Sequence, residues 1–148
     1  MQKTKRYLKQ AYRLNELIQC DKQELEELKL LSVSLGGIDY SKDKVQVSPS
    51  NDASYTKIVA KIVELENMIK SDIERMLILK AEIREVINSV PDKEEQLVLR
   101  CRYLNFYSWE KIYLLLNVSA RTVHRIHNNA LRNVKNSKFS ARWHTLTH

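Results

Sequence analysis

The chain has few helix breakers, with only 2 Gly and 2 Pro among 148 residues. That scarcity argues against a turn-rich β architecture and against a glycine-lined phosphate loop, and it points to an all-α protein. Cysteine is scarce as well. Cys20 and Cys101 fall in different segments and form no CxxC pair. This excludes a disulfide framework and a cysteine zinc cluster, and both residues read as reduced thiols. No run approaches the roughly 18 apolar residues of a membrane helix, and no apolar segment follows the basic start Met1 to Arg6. The expectation is a cytoplasmic protein with no membrane partner. The most informative scarcity is of acid. Residues 97–148 hold a single one, Glu110, against nine Lys and Arg, whereas residues 1–96 hold 16 basic and 17 acidic side chains. The net charge of +7 therefore sits in the last third of the chain. A local positive field of that kind attracts a polyphosphate backbone.

What is present is largely helical pattern. From about residue 3 to 34, apolar residues fall at Tyr7, Ala11, Leu14, Ile18, Leu25 and Leu28. The steps of three and four are those of a helix with one buried stripe. Gly36 and Gly37 are placed to stop it. Residues 36–54 are rich in Ser, Asp, Gly and Pro without a period, which reads as a mobile linker. A second long helix is expected from a cap at Asp52 or Ser54 to about Val90. Its stripe is Ile58, Ile62, Leu65, Ile69, Ile73, Met76, Ile83, Ile87 and Val90. A stripe this long and narrow must be covered. The two helices are therefore expected to close as an antiparallel coiled-coil hairpin over residues 1–90, and the hairpin is expected to pair again into a homo-oligomer, a dimer in the simplest case.

Pro91 ends the second helix and Asp92 is placed to cap a third. Three short helices are expected over residues 91–135: 92–104, then one capped by Ser108 and ending at Leu116, then one capped by Ser119 and running to about Val134. The basic tail 136–148 is expected to fray. The last two short helices make a helix-turn-helix pattern. Trp109, Ile112, Tyr113 and Leu116 turn inward, Asn117-Val118-Ser119 forms the turn with Val118 plugging the angle, and Val123, Ile126, Ala130, Leu131 and Val134 form the inner face of the last helix. Its outer face reads Arg121, Thr122, His124, Arg125, Asn128, Asn129 and Arg132, all hydrogen-bond donors and none acidic. Arg matches guanine O6/N7 and Asn matches adenine N6/N7 with paired bonds, while Ser119 and Thr122 at the helix start suit phosphate. With Ala120 and Lys135, these residues form the expected surface for double-stranded DNA.

The segment from about Leu97 to Val134 resembles region 4 of bacterial sigma factors. The resemblance rests on Leu99-Arg100-Cys101-Arg102-Tyr103-Leu104, on Ser108-Trp109-Glu110-Lys111-Ile112, and on Val118-Ser119 followed by Val123, Ile126 and Ala130-Leu131-Arg132. It implies that Ala120, Arg121 and Arg125 stand where bases of the −35 element are read, flanked by His124 and Asn129. Ala120 replaces a usual Arg and Arg121 a usual Glu. The change removes an acceptor for cytosine and favours guanine, so a housekeeping −35 sequence is not the expected target. The long-helix half is foreign to sigma factors. The whole layout is similar to ArpU- and RinA-like regulators from phages and prophages of Gram-positive bacteria, which implies a transcriptional regulator with RNA polymerase as a further partner.

Two other functional classes fit part of the pattern. One is a protein-interaction module gripping RNA polymerase or a host factor through the hairpin. The other is a small-terminase-like packaging component, which would assemble as a ring. The histidines His124, His127, His144 and His148 have no Cys or acid at metal-ligand spacing, so neither a zinc site nor any cofactor is expected. Acidic pairs such as Glu26-Glu27 and Glu94-Glu95 read as solvated charge. No nucleophile–base arrangement appears, and no enzymatic activity is expected.

Overall fold

The computed structural model describes the backbone of residues 1–36 and 49–136, with side chains at all of these except 36, 49–52, 135 and 136. Among the described residues the protein is all-α, with six helices and no strand. The helices are α1 (Gln2–Leu8), α2 (Gln10–Gly36), α3 (Pro49–Asn88), α4 (Lys93–Tyr103), α5 (Trp109–Leu116) and α6 (Ala120–Asn136).

The single first helix expected from 3 to 34 is two pieces meeting at Lys9. The interruption is slight. Lys9 keeps a right-handed backbone (φ −74°, ψ −7°), its N–H donates to the Lys5 carbonyl, and the Arg13 N–H donates to the Lys9 carbonyl, both at 3.0 Å. The second long helix begins at Pro49, earlier than the expected cap at Asp52 or Ser54. A proline is at home there, because the first turn of a helix has no intrahelical use for the N–H that proline lacks. Residues 49–54, expected as linker, are thus helical, while 37–48 and the tail 137–148 lie outside the described residues. At 1.5 Å per residue, the 40 residues of α3 extend about 60 Å.

The chain divides into two compact units, Asn15–Arg75 on one hand and Met1–Leu14 together with Met76–His148 on the other. This division differs from the expected cut at residue 90, because the start of the chain and the end of α3 both pack with α4 and α6. In Asn15–Arg75, Ile18, Leu65 and Ile69 are buried, and Leu25, Leu28, Ile58, Ile62 and Ile73 are half-buried, which follows the expected stripe. Lys29 Nζ lies 3.3 Å from Glu66 Oε1, joining α2 to α3. Off the stripe, Leu30, Val33 and Val63 are 71%, 70% and 51% exposed.

The other unit has two apolar cores. The larger gathers Leu8 and Ala11 from α1 and α2, Ile83, Val86, Ile87 and Val90 from the end of α3, Leu99, Tyr103 and Leu104 from α4, and Ala130, Leu131 and Val134 from α6. The smaller gathers Val98 and Cys101 of α4, Ile112 of α5, and Val123 and Ile126 of α6, with Trp109, Tyr113 and Leu116 against its edge. Helix α6 therefore packs on both. Asp92 caps α4 as expected, its Oδ1 accepting from the Glu95 N–H at 3.0 Å. The Gln96 Nε2 donates to the Val90 carbonyl at 2.6 Å, satisfying a carbonyl that the end of α3 leaves open. Glu95, expected in solvent, is buried instead. Its Oε2 accepts from Asn133 Nδ2 at 2.6 Å, which ties α4 to α6.

Candidate nucleic-acid interface

The interface is built around the angle between α5 and α6. Ser108 starts α5 by accepting the Lys111 N–H at 3.2 Å. Asn117 stops it in the left-handed conformation (φ 51°, ψ 45°). Asparagine tolerates that region better than most residues, since its short side chain can bond locally. The chain then turns, with the Val118 N–H reaching back to the Tyr113 carbonyl at 3.3 Å. Ser119 starts α6, its Oγ accepting the Thr122 N–H at 3.2 Å and lying 2.9 Å from the Thr122 hydroxyl. Val118, expected to plug the angle, is 37% exposed. Ile112 and the edge of Trp109 fill the angle instead.

Helix α6 is divided cleanly between two faces. Val123, Ile126, Ala130, Leu131 and Val134 are all buried, as its spacing predicted. Ser119, Ala120, Arg121, His124, Arg125, Asn128 and Arg132 are exposed, and Thr122 and Asn129 are half-exposed. Arg121, Thr122, His124, Arg125, Asn128, Asn129 and Arg132 line one open surface groove. The structure thus brings together every predicted donor of the outer face. Lys135 is the exception, since its side chain lies outside the described residues. No acid occurs anywhere on α6.

Three of the predicted contacts, Ser119, Thr122 and His124, have partners within the protein. Ser119 is used as the helix cap, as described. His124 places Nε2 2.7 Å from the Tyr113 hydroxyl and sets its ring at a tilt against that of Trp109, centroids 4.7 Å apart, which fixes the imidazole at the border of the groove. His127 belongs to the interior. It is 4% exposed, its Nε2 lies 2.8 Å from the Tyr103 hydroxyl, and its ring sits 4.9 Å from Trp109. Burial first, and then the positive charges of Lys5, His124, Arg102 and Lys9, push its pKa down to about 4. The Tyr103 hydroxyl is pushed up to about 12, mainly by burial.

Around the angle lies a rim that sequence spacing did not single out. Arg102 Cζ stands 4.6 Å over the Trp109 ring, and its Nη1 donates to the Tyr107 carbonyl at 2.9 Å. Lys111 Nζ stands 3.8 Å over the Tyr107 ring. The alternation of Arg, Tyr, Trp and Lys over residues 102–111 was the only signal for this rim. It becomes meaningful once α4 and α5 place those residues side by side.

Among the described residues no three His, Cys, Asp or Glu side chains are placed to hold a metal ion, and no helix is long and apolar enough to cross a membrane. Cys20 and Cys101 are free thiols, the first exposed and the second buried.

No curated protein and no solved structure matches the chain. A protein-family model described as "Protein of unknown function (DUF1492)" matches residues 34–135, a span running from the end of α2 through α3, α4 and α5 and most of α6. Since that span is well over half of the 148 residues, the chain belongs to the DUF1492 family.

Proposed function

We propose that this protein is a sequence-specific DNA-binding transcriptional regulator of phage or prophage genes that lays α6 in the major groove. The observation that carries the reading is the partition of α6. One face is buried in two cores, and the other offers Arg121, Arg125, Asn128 and Arg132 to solvent with no acid among them. A helix that only covered a core would have no need of a donor-rich face cleared of acids. The turn at Asn117 and the preceding helix α5 supply the support that a groove-reading helix requires. The concentration of positive charge after residue 96 adds the sequence-independent attraction to phosphate.

The test is selection of duplex fragments from the source genome, followed by gel shifts. Arg125→Ala is expected to weaken specific binding by about 1–3 kcal/mol and to relax base preference at one position. Equal affinity for wild type and variant at the selected site would refute this placement of α6.

A second reading draws on Asn15–Arg75. Leu30, Val33 and Val63 expose more apolar surface than a lone helical pair needs to, which favours association through this unit, either with a second copy or with RNA polymerase. Sedimentation equilibrium of the full chain separates a self-associating protein from a monomer awaiting a partner.

A further inference from the structure

Helix α1 belongs to the same compact unit as the helix-turn-helix, its Leu8 sharing a core with Ala130, Leu131 and Val134 of α6. Packing at Leu8 fixes the short helix and its end, and with them the basic residues Lys5 and Lys9. Lys9 is half-buried, and Lys5, Arg102 and Arg13 all lie close enough to act on it. Partial burial first, and then these like charges, hold its ammonium below the usual lysine range. Lys5, Lys9 and Arg102 also act together on His127 of α6. The cluster is therefore one patch built from three elements: α1 with the start of α2, the end of α4, and α6.

No acid forms an ion pair with these cations among the described residues, although lysine pairs with glutamate elsewhere in the chain, at Lys29 and Glu66. Acids are available nearby. Burial first, and then Glu82 and Glu85 of α3, raise the pKa of Tyr7 on α1 to about 12. Uncompensated like charges weaken a compact state, and a bound polyanion removes the penalty.

Arg102 connects to the border of the reading face. From Arg102 the contacts run to the Trp109 ring at 4.6 Å, then to the His124 ring at 4.7 Å, and so to the border of the groove lined by Arg121 and Arg125. A duplex seated on α6 thus has Arg102 beside the border of the groove and α1 packed through Leu8 on the same helix.

We propose that Lys5 and Lys9 of the N-terminal helix grip the phosphate backbone of the DNA beside the segment read by α6, so that the start of the chain is part of the DNA-binding surface. This rests on the reading of α6 as a major-groove helix. Both lysines lie outside the 34–135 span that the family model matches.

The experiment compares the full chain with Lys5→Gln/Lys9→Gln and with a control of equal charge change in the other unit, Lys22→Gln/Lys70→Gln. Affinity for duplex DNA is measured against salt, and circular dichroism melts confirm that each variant folds. Each phosphate contact contributes about 0.9 to the slope of log K against log salt, so the Lys5/Lys9 variant is expected to flatten the slope by about 1.8 with the preferred sequence unchanged. The Lys22/Lys70 variant is expected to keep the wild-type slope. If both double variants flatten it alike, the effect is one of net charge and the proposal fails. If a folded Lys5/Lys9 variant keeps the wild-type slope and wild type still selects a sequence, the proposal fails while the reading of α6 stands. If wild type itself ignores duplex DNA at low salt, the α6 reading fails, and this proposal with it.

Discussion

His127 shows what the interior asks of a single side chain. From sequence it was one of eight polar residues between 121 and 132, and only its place in the helical repeat set it apart. The periodicity of α6 puts position 127 between the buried positions 126 and 130, and the structure buries it against Tyr103 and Trp109. Its folded pKa, about 4, lies below the ordinary histidine value of 6.5. The imidazole is therefore neutral in the native state, and protonation favours the unfolded chain. Stability from this group is complete above pH 6.5 and is lost as pH falls from there toward 4. A shift of that size corresponds to about 3 kcal/mol at the acid end. Thermal melts of wild type are expected to fall across that window, and those of His127→Gln to fall less. Parallel pH profiles for the two proteins would show that another group carries the acid sensitivity. Glu95 taught the opposite lesson to sequence reasoning. A glutamate beside another glutamate near a helix start looked solvated, and its bond to Asn133, 38 residues away, left no trace in local pattern.

Elements were more legible than residues. Capping chemistry located the starts of α4, α5 and α6 at Asp92, Ser108 and Ser119, because a short side chain ending in an oxygen can accept a free backbone N–H of the first turn. Pro49 was missed as a helix start because Ser, Pro and Asn next to one another also spell a loop, and only the context of α3 decides between the two. The turn between α5 and α6 depends on Asn117 in the left-handed region. Asn117→Ala is expected to destabilise the protein by about 1 kcal/mol and Asn117→Gly to leave it near wild type, since only the first substitution opposes the backbone conformation. Urea melts of the two variants give the comparison, and equal losses would mean that the Asn side chain itself holds the turn.

For the molecule as a whole, the helices were legible and their grouping was not. Periodicity reports which face of a helix is covered, never by what. Nothing near Leu8 announces that it is buried with Val134, so the expected boundary fell at residue 90, where a proline stands. The grouping makes a prediction that a boundary at 90 would not. Leu8→Ala should destabilise the helix-turn-helix unit by about 2–5 kcal/mol, despite its distance from that unit in sequence. Hydrogen exchange of α6 amides measures this directly, and unchanged protection there would detach α1 from the module. The same grouping sets an order of events in biosynthesis. Residues 1–14 leave the ribosome well before Met76 and everything after it, so the first piece of this unit must wait for a long intervening stretch to be made and looped back. A translation product stopped anywhere before α6 would carry Leu8 and Ala11 uncovered. The nascent chain therefore stays a substrate for chaperones and proteases until α6 emerges, and only a product that includes α6 acquires the face proposed to read DNA.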